Sequence, residues 1–179
     1  MNRKPRIEVA IPWMIRRNMP DVLEIEELSF PYPWLEEDFI RVLRCRNVIG
    51  MCAIVPSTEE RDLADRLKYK PGDPVVGFML YELHRRHIEL LSIAVHPDWR
   101  RRDVAAQMID KLKGKLHHER RNRIIADVSE GNLDAQLFFR DIGFRATDVL
   151  RDHYIEQEIE GDAYRLQYRL PMKSAVTSF

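Results

Sequence analysis

The sequence predicts a mixed α/β or α+β domain, and three observations carry that prediction. The stretches NVIGMCAIV (47–55), PVVGFMLYEL (74–83) and HIELLSIAV (87–95) are apolar runs of strand length. Val104, Met108, Leu112 and Leu116, with Ala105 and Ile109 beside them, form one apolar face at helical spacing. Along the chain the order runs strands, helix, strand, helix and two strands, which suits a sheet flanked by helices. The 179 residues fit one ordinary domain with a substantial core, so a single domain over 1–179 is expected.

In order, a short extended start near Trp13 to Arg16 precedes PDVLEIEELSF, where Val22, Leu23, Ile25 and Leu28 keep helical spacing. Pro20 suits a first helical turn, and Asp21 complements the helix dipole there. FPYPW then stops the helix, since proline and the residue before it both resist helical geometry. A second helix is expected from Leu35 to about Arg44. Between the first two strands, residues 56–73 are polar and bounded by prolines, the mark of an excursion with a short helix of its own. NRIIADV (122–128) is a further strand. NLDAQLFFRDIG (132–143) is a helix with Asn132 as N-cap and Gly143 as C-cap. FRATDVLRDHYI and DAYRLQYRL make a closing strand pair joined by the acidic loop EQEIEG.

The 29 basic residues balance 29 acidic ones, giving no general reason to expect a nucleic acid or an anionic membrane as partner. Basic residues do cluster locally, around Arg100 and around Arg120. Cys45 and Cys52 match neither a disulfide framework nor a zinc site, which points to a reducing compartment. The N-terminus lacks the apolar run of a signal peptide, and no stretch is long and apolar enough to span a bilayer. A soluble cytoplasmic protein is expected. His84 and His87, like His117 and His118, lack metal-ligand spacing and a converging acid, so they are taken as surface residues and no metal is expected. HHERRNR reads as the solvated end of a helix, without the interleaved aromatics that would support RNA contact. No Gly-x-Ser-x-Gly elbow suggests a hydrolase.

The candidate site begins where LLSIAV runs into HPDWRRRDVA. A strand feeding a helix start presents unpaired backbone N–H groups and the positive end of a dipole. Arg100, Arg101 and Arg102 add charge that would suit a phosphate. The same residues also fit a solvated basic turn capped by Asp103.

SIAVHPDWRRRDVAAQMI resembles the coenzyme-A-binding segment of the GNAT acyltransferase superfamily, whose consensus is Gln/Arg-x-x-Gly-x-Gly/Ala. ADVSEGNLDAQLFFRDIGF is similar to the following strand and helix of RimI-type protein N-terminal acetyltransferases. RDHYIEQEIEGDAYRLQYRL resembles their closing strands, and IEELSFPYPWLEEDF their first helical pair. The likeness covers nearly the whole chain, the 56–73 insertion excepted. It implies the GNAT fold: a mixed, mostly antiparallel, twisted sheet flanked by helices, with acyl-CoA entering a splay between central strands.

By the same resemblance, backbone groups of Ile93, Ala94 and Val95 serve the pantetheine arm of acetyl-CoA. The loop Arg100, Arg101, Arg102, Asp103, Val104, Ala105 and Ala106 holds the pyrophosphate, and Asn132 contacts the pantetheine. Three positions depart from the pattern. Asp103 replaces a glycine, and a carboxylate about 5 Å from a phosphate charge costs roughly 3 kcal/mol at an effective dielectric near 20. The neighbouring arginines could offset this. Asp127 replaces the glutamate base and is one methylene shorter. Phe139 replaces a tyrosine that would protonate the departing thiolate, so it packs on the coenzyme or simply fills the core.

Glu89 lies where other GNAT enzymes place a base, on a strand face shared with Leu91 and Ile93. It could equally pair with Arg85 or Arg86. Glu27, Tyr32 and Tyr154 fall where the family receives its acceptor, although a rigid, core-packed loop explains Tyr32 as well. The function implied is acetyl transfer from acetyl-CoA to an amine, the N-terminal α-amine of a protein such as a ribosomal protein. Glu89 or Asp127 would be the base. The alternatives are a non-catalytic acyl-CoA-binding or protein-interaction module and a small-molecule amine acetyltransferase.

Overall fold

A computed structural model describes residues 4–57, 69–151 and 161–171. Among them, helices α1 (Met19–Ser29) and α2 (Glu36–Leu43) precede strands β1 (Val48–Ile54), β2 (Val75–Leu83) and β3 (Ile88–Val95). Helix α3 (Val104–Lys113), strand β4 (Arg123–Ser129), helix α4 (Leu133–Asp141) and strands β5 (Arg145–Leu150) and β6 (Ala163–Arg169) complete the order. The six strands form one sheet in the order β1-β2-β3-β4-β6-β5. The pairs β1/β2, β4/β6 and β5/β6 are antiparallel.

The chain divides into two compact units: Met1–Leu83 with Leu90–Leu112, and His84–Glu89 with Lys113–Phe179. In the first, α1 starts with Pro20 in its opening turn and Asp21 beside it, as proline geometry and the dipole favour. It stops at Phe30, which takes extended angles (φ −124°, ψ 140°) because Pro31 follows. In α2 the Asp38 carboxylate accepts the Leu35 N–H at 3.0 Å, and Glu36 and Glu37 share that acidic first turn. Burial of nearly every residue of β2 explains its lack of alternation. Val22, Ile25, Phe39, Cys52, Phe78 and Leu80 form the core here, with Trp34, Phe39 and Phe78 meeting edge to face at 5.5 and 5.7 Å. Gly77 is required by close approach, since a Cβ there would lie 2.9 Å from the Ala94 carbonyl oxygen.

The expected extended start bridges to β1 at Ala10 and Trp13, but Arg16–Asn18 turn as a short 3-10 helix. Helix α3 ends at Lys113, so Leu116 lies beyond the apolar face it was expected to extend. Gly114 follows directly, a residue that favours helix ends.

In the second unit Asn132 Oδ1 accepts the Ala135 N–H at 3.1 Å, as expected of the N-cap of α4. Gly143 turns the chain out of that helix with φ +96°, conformational freedom that only glycine has at no cost. Phe138, Phe139, Phe144 and Tyr168 make a continuous row of ring contacts beneath α4. The closing pair holds as β5 and β6, while the acidic loop between them falls mostly outside the described residues.

Candidate active site

Strand β3 leaves the core at Ala94 and Val95, passes a 3-10 turn at Pro97–Trp99, and re-enters order as α3. In the loop between, Arg101 and Asp103 both have left-handed backbones, with φ +64° and +71°. For an arginine this is an uncommon conformation, while aspartate is one of the few residues that tolerate it. Backbone of this shape turns successive N–H groups toward one side, which is how a main chain builds an anion seat. Asp103 therefore occupies a glycine position in conformation as well as in sequence.

The three arginines divide their labour. Arg100, although exposed, ties the loop to β3 and α1: its Nε donates to the Val95 carbonyl at 2.9 Å and its terminal nitrogen to Ser29 Oγ at 3.0 Å. Arg102 lies over the Trp99 ring at 5.5 Å, with its Nε buried and unpartnered. Arg101 is exposed. The charge beside Asp103 comes from elsewhere, because Arg6 Nε is 3.4 Å from its carboxylate. Sequence reasoning assigned that offset to the neighbouring arginines and missed Arg6, which no local signal marks.

In the second unit, the two carboxylates proposed as bases lie around one guanidinium. Asp127 and Arg165 are direct cross-strand partners on β4 and β6, and Arg165 grips both Asp127 oxygens at 2.9 and 2.8 Å. The Asp127 side chain is only 13% exposed. Hydrogen bonding to Asp127 raises the Arg165 pKa, burial opposes the rise, and the charges of Asp127, Glu89 and Asp148 reinforce it.

Glu89 Oε2 lies 3.1 Å from His84 Nε2 and accepts its N–H in the tautomer that carries the proton there. His84 in turn stacks on His87, centroids 4.4 Å apart and planes 14° from parallel. The His87 pKa is lowered by burial first and by His84 second, so this ring favours its neutral form. Thus the sequence's alternative partners for Glu89, Arg85 and Arg86, are replaced by His84. His84, His87 and Glu89 also place one ligand atom each within 4.8 Å of one another, a donor set that could hold a divalent ion. The converging acid absent from the spacing of the two histidines is supplied by Glu89 across the hairpin.

Asn132 spends its side-chain oxygen on the cap, leaving its amide N–H₂ for a ligand. Phe139 is 3% exposed and meets Phe138 and Phe144 edge to face, the surroundings of a core residue. At the other proposed subsite Glu27 is exposed on α1 and Tyr32 is 56% exposed in the turn after it. Exposed Leu28 and Leu35 flank them. Tyr154 lies outside the described residues.

Residues 19–144 match the model of the acetyltransferase (GNAT) family. The chain belongs to that family. Its sequence is 23% identical over 146 residues to the [ribosomal protein bS18]-alanine N-acetyltransferase of Salmonella typhimurium, covering 82% of this chain and 87% of the relative. The fold matches the ribosomal-protein-S18-alanine N-acetyltransferase of Escherichia coli with a TM-score of 0.71 and 17% identity, over 96% of this chain and all (100%) of the other. It also matches Arabidopsis thaliana NAA60 bound to a bisubstrate analogue, with a TM-score of 0.71 and 15% identity over 93% of this chain and 100% of that one. The protein is therefore a GNAT acetyltransferase.

Acetyl-CoA, which this family uses, supplies an activated acetyl thioester. The left-handed loop of Arg101 and Asp103 ahead of the α3 N-terminus suits its phosphates, while Asp103, paired with Arg6, adds a like charge within it. Among the described residues no helix of this acetyltransferase is long and apolar enough to cross a membrane.

Proposed function

We propose that the protein, cytoplasmic and acting as one domain over 1–179, transfers the acetyl group of acetyl-CoA to the N-terminal α-amine of another protein. A ribosomal protein, the acceptor named for two of its relatives, is the first candidate. The observation that carries the reading is the pair of left-handed residues at the family's phosphate-binding loop, kept although glycine is absent. Strained backbone of this kind persists where function requires its shape.

Of the two carboxylates, Glu89 is the base. Both Asp127 oxygens are engaged by Arg165, whereas only one Glu89 oxygen is bonded, to His84, leaving the other able to accept a proton and pass it to solvent. The backbone N–H near Val95 polarises the acyl carbonyl while the neutral amine attacks it. Glu89 accepts the proton lost by nitrogen, directly or through water. The C–S bond breaks, and the thiolate leaves to take a proton from solvent, since Phe139 has none to give. Exposed Glu27, beside Leu28 and Tyr32, receives the cationic or polar end of the acceptor.

The engagement of Asp127, with Phe139 buried, also favours a second reading: a module that binds acyl-CoA without transferring its acyl group. The test is incubation of the pure protein with acetyl-CoA and alanine-initiated ribosomal-protein peptides, followed by mass spectrometry. Peptide acetylation that Glu89→Gln abolishes supports the enzyme reading. Acetyl-CoA binding without product on any amine supports the module. Acetylation of free amines alone would replace the protein acceptor with a small molecule.

A further inference from the structure

Six arginines converge on one cavity of the second unit, far along β4 from Asn132. Arg85 and Arg86 come from the β2–β3 turn, Arg120, Arg121 and Arg123 from the approach to β4, and Arg169 from the end of β6. The cavity encloses about 700 Å³, and Glu119 is the only acid among its lining residues. In a chain with no net charge, this is a strong local concentration of one sign.

Three observations say that the concentration serves a ligand. Arg123 and Arg169 are direct partners in the antiparallel register of β4 and β6. Like charges placed opposite one another destabilise a sheet unless an anion sits between them. Arg123 Nε is buried with no hydrogen-bond partner, an uncompensated charged donor at the cavity wall. Among the described residues Arg85, Arg86, Arg120, Arg123 and Arg169 have no carboxylate within ion-pair distance; only Arg121 is spent, its Nε donating to the His84 carbonyl at 2.7 Å.

We propose that this cavity binds clustered phosphate groups, either consecutive phosphates of a nucleic-acid backbone or a free polyphosphate. Guanidinium forks match phosphate oxygens two at a time. His118 is the one aromatic ring in the lining and no aliphatic residue joins it, so the cavity offers guanidinium forks for phosphates far more than an apolar pocket for a peptide side chain. The basic run HHERRNR, which alone resembles a solvated helix end, becomes a site because the turn and β6 bring three further arginines to it. The inference does not depend on acetyl transfer.

The test uses the full chain, with coenzyme A in excess to fill the family's own phosphate site. Tripolyphosphate is titrated calorimetrically, and a fluorescent RNA hairpin by anisotropy across a salt series. The comparison protein is Arg86→Gln/Arg120→Gln, whose two positions are exposed and outside the transfer site; its unchanged melting temperature and coenzyme A binding show it folded. Micromolar RNA binding with a steep salt slope, weakened at least tenfold and with a shallower slope in the variant, assigns the cavity to a nucleic-acid backbone. Tripolyphosphate binding of similar strength without RNA binding, again lost in the variant, assigns it to a free polyphosphate. Binding of neither probe overturns the proposal. So does binding that the variant leaves unchanged, or equal affinity for a poly-glutamate peptide.

Discussion

At the residue scale the two carboxylates differ in what holds them. Glu89→Gln removes the proposed base and is expected to lower kcat about 10²–10⁴-fold with the fold intact, measured by steady-state acetylation beside a thermal melt. Asp127→Asn is expected to show the reverse emphasis. It leaves the partly buried Arg165 charge unpaired, so stability falls by roughly 1–3 kcal/mol, between the values for exposed and fully buried pairs. Urea unfolding checks it. Asp103 is the third informative residue. Its φ of +71° suits glycine, and its carboxylate puts a negative charge in the loop proposed to bind phosphate. Asp103→Gly relieves both conflicts and should tighten acetyl-CoA binding by about tenfold, or about 1.4 kcal/mol, in a calorimetric titration. Arg6→Gln should weaken it, because Asp103 loses its counter-charge.

At the element scale, α1 is anchored to the turn after it by Glu26. This carboxyl is 3% exposed and accepts the Trp34 N–H at 3.0 Å with one oxygen, while the other is buried without a partner. Burial pushes its pKa up from 4.5 to about 6, with the Trp34 hydrogen bond pulling the other way. The folded state thus holds the proton more tightly than the unfolded chain. The stabilisation is fully present below about pH 4.5 and is lost as pH rises through about 6, a change of about 2 kcal/mol. Glu26→Gln should remove that slope, and unfolding free energies measured between pH 4.5 and 7 will show it. Helix α4 depends on its aromatic row instead. Phe139→Ala opens a cavity between Phe138 and Phe144 and should cost about 3–5 kcal/mol, read from denaturant midpoints.

At the scale of the whole molecule, a ligand that binds only the folded chain raises its stability by mass action. Acetyl-CoA at a hundred times its dissociation constant should add about 2.7 kcal/mol, or roughly 5–10 °C in melting temperature for a chain of this size. A melt unmoved by millimolar acetyl-CoA would count against the phosphate-binding loop. Most of the fold was legible before any coordinates, down to the Asn132 and Gly143 caps, because those signals are local and each element carries its own periodicity. Where a helix stops is set by a turn or two, so the overrun at Leu116 was a local miss. The contiguous stretch from Ser92 to Ile109 likewise carried the family in one piece. By itself, then, the sequence determined the element order and the family, and pointed to the loop proposed to meet the cosubstrate. Only the tertiary structure decided which carboxylate is engaged, what offsets Asp103, what partners Glu89, and that six arginines share one cavity. The engagement of Asp127 and the arginine cavity depend on residues distant in the chain, Arg165 opposite Asp127 and Arg169 opposite Arg123, that meet only through strand register; Arg6 is as distant from Asp103, while His84 reaches Glu89 around a single turn. Periodicity shows which face of a strand is apolar, but not which residue of another strand lies across from it.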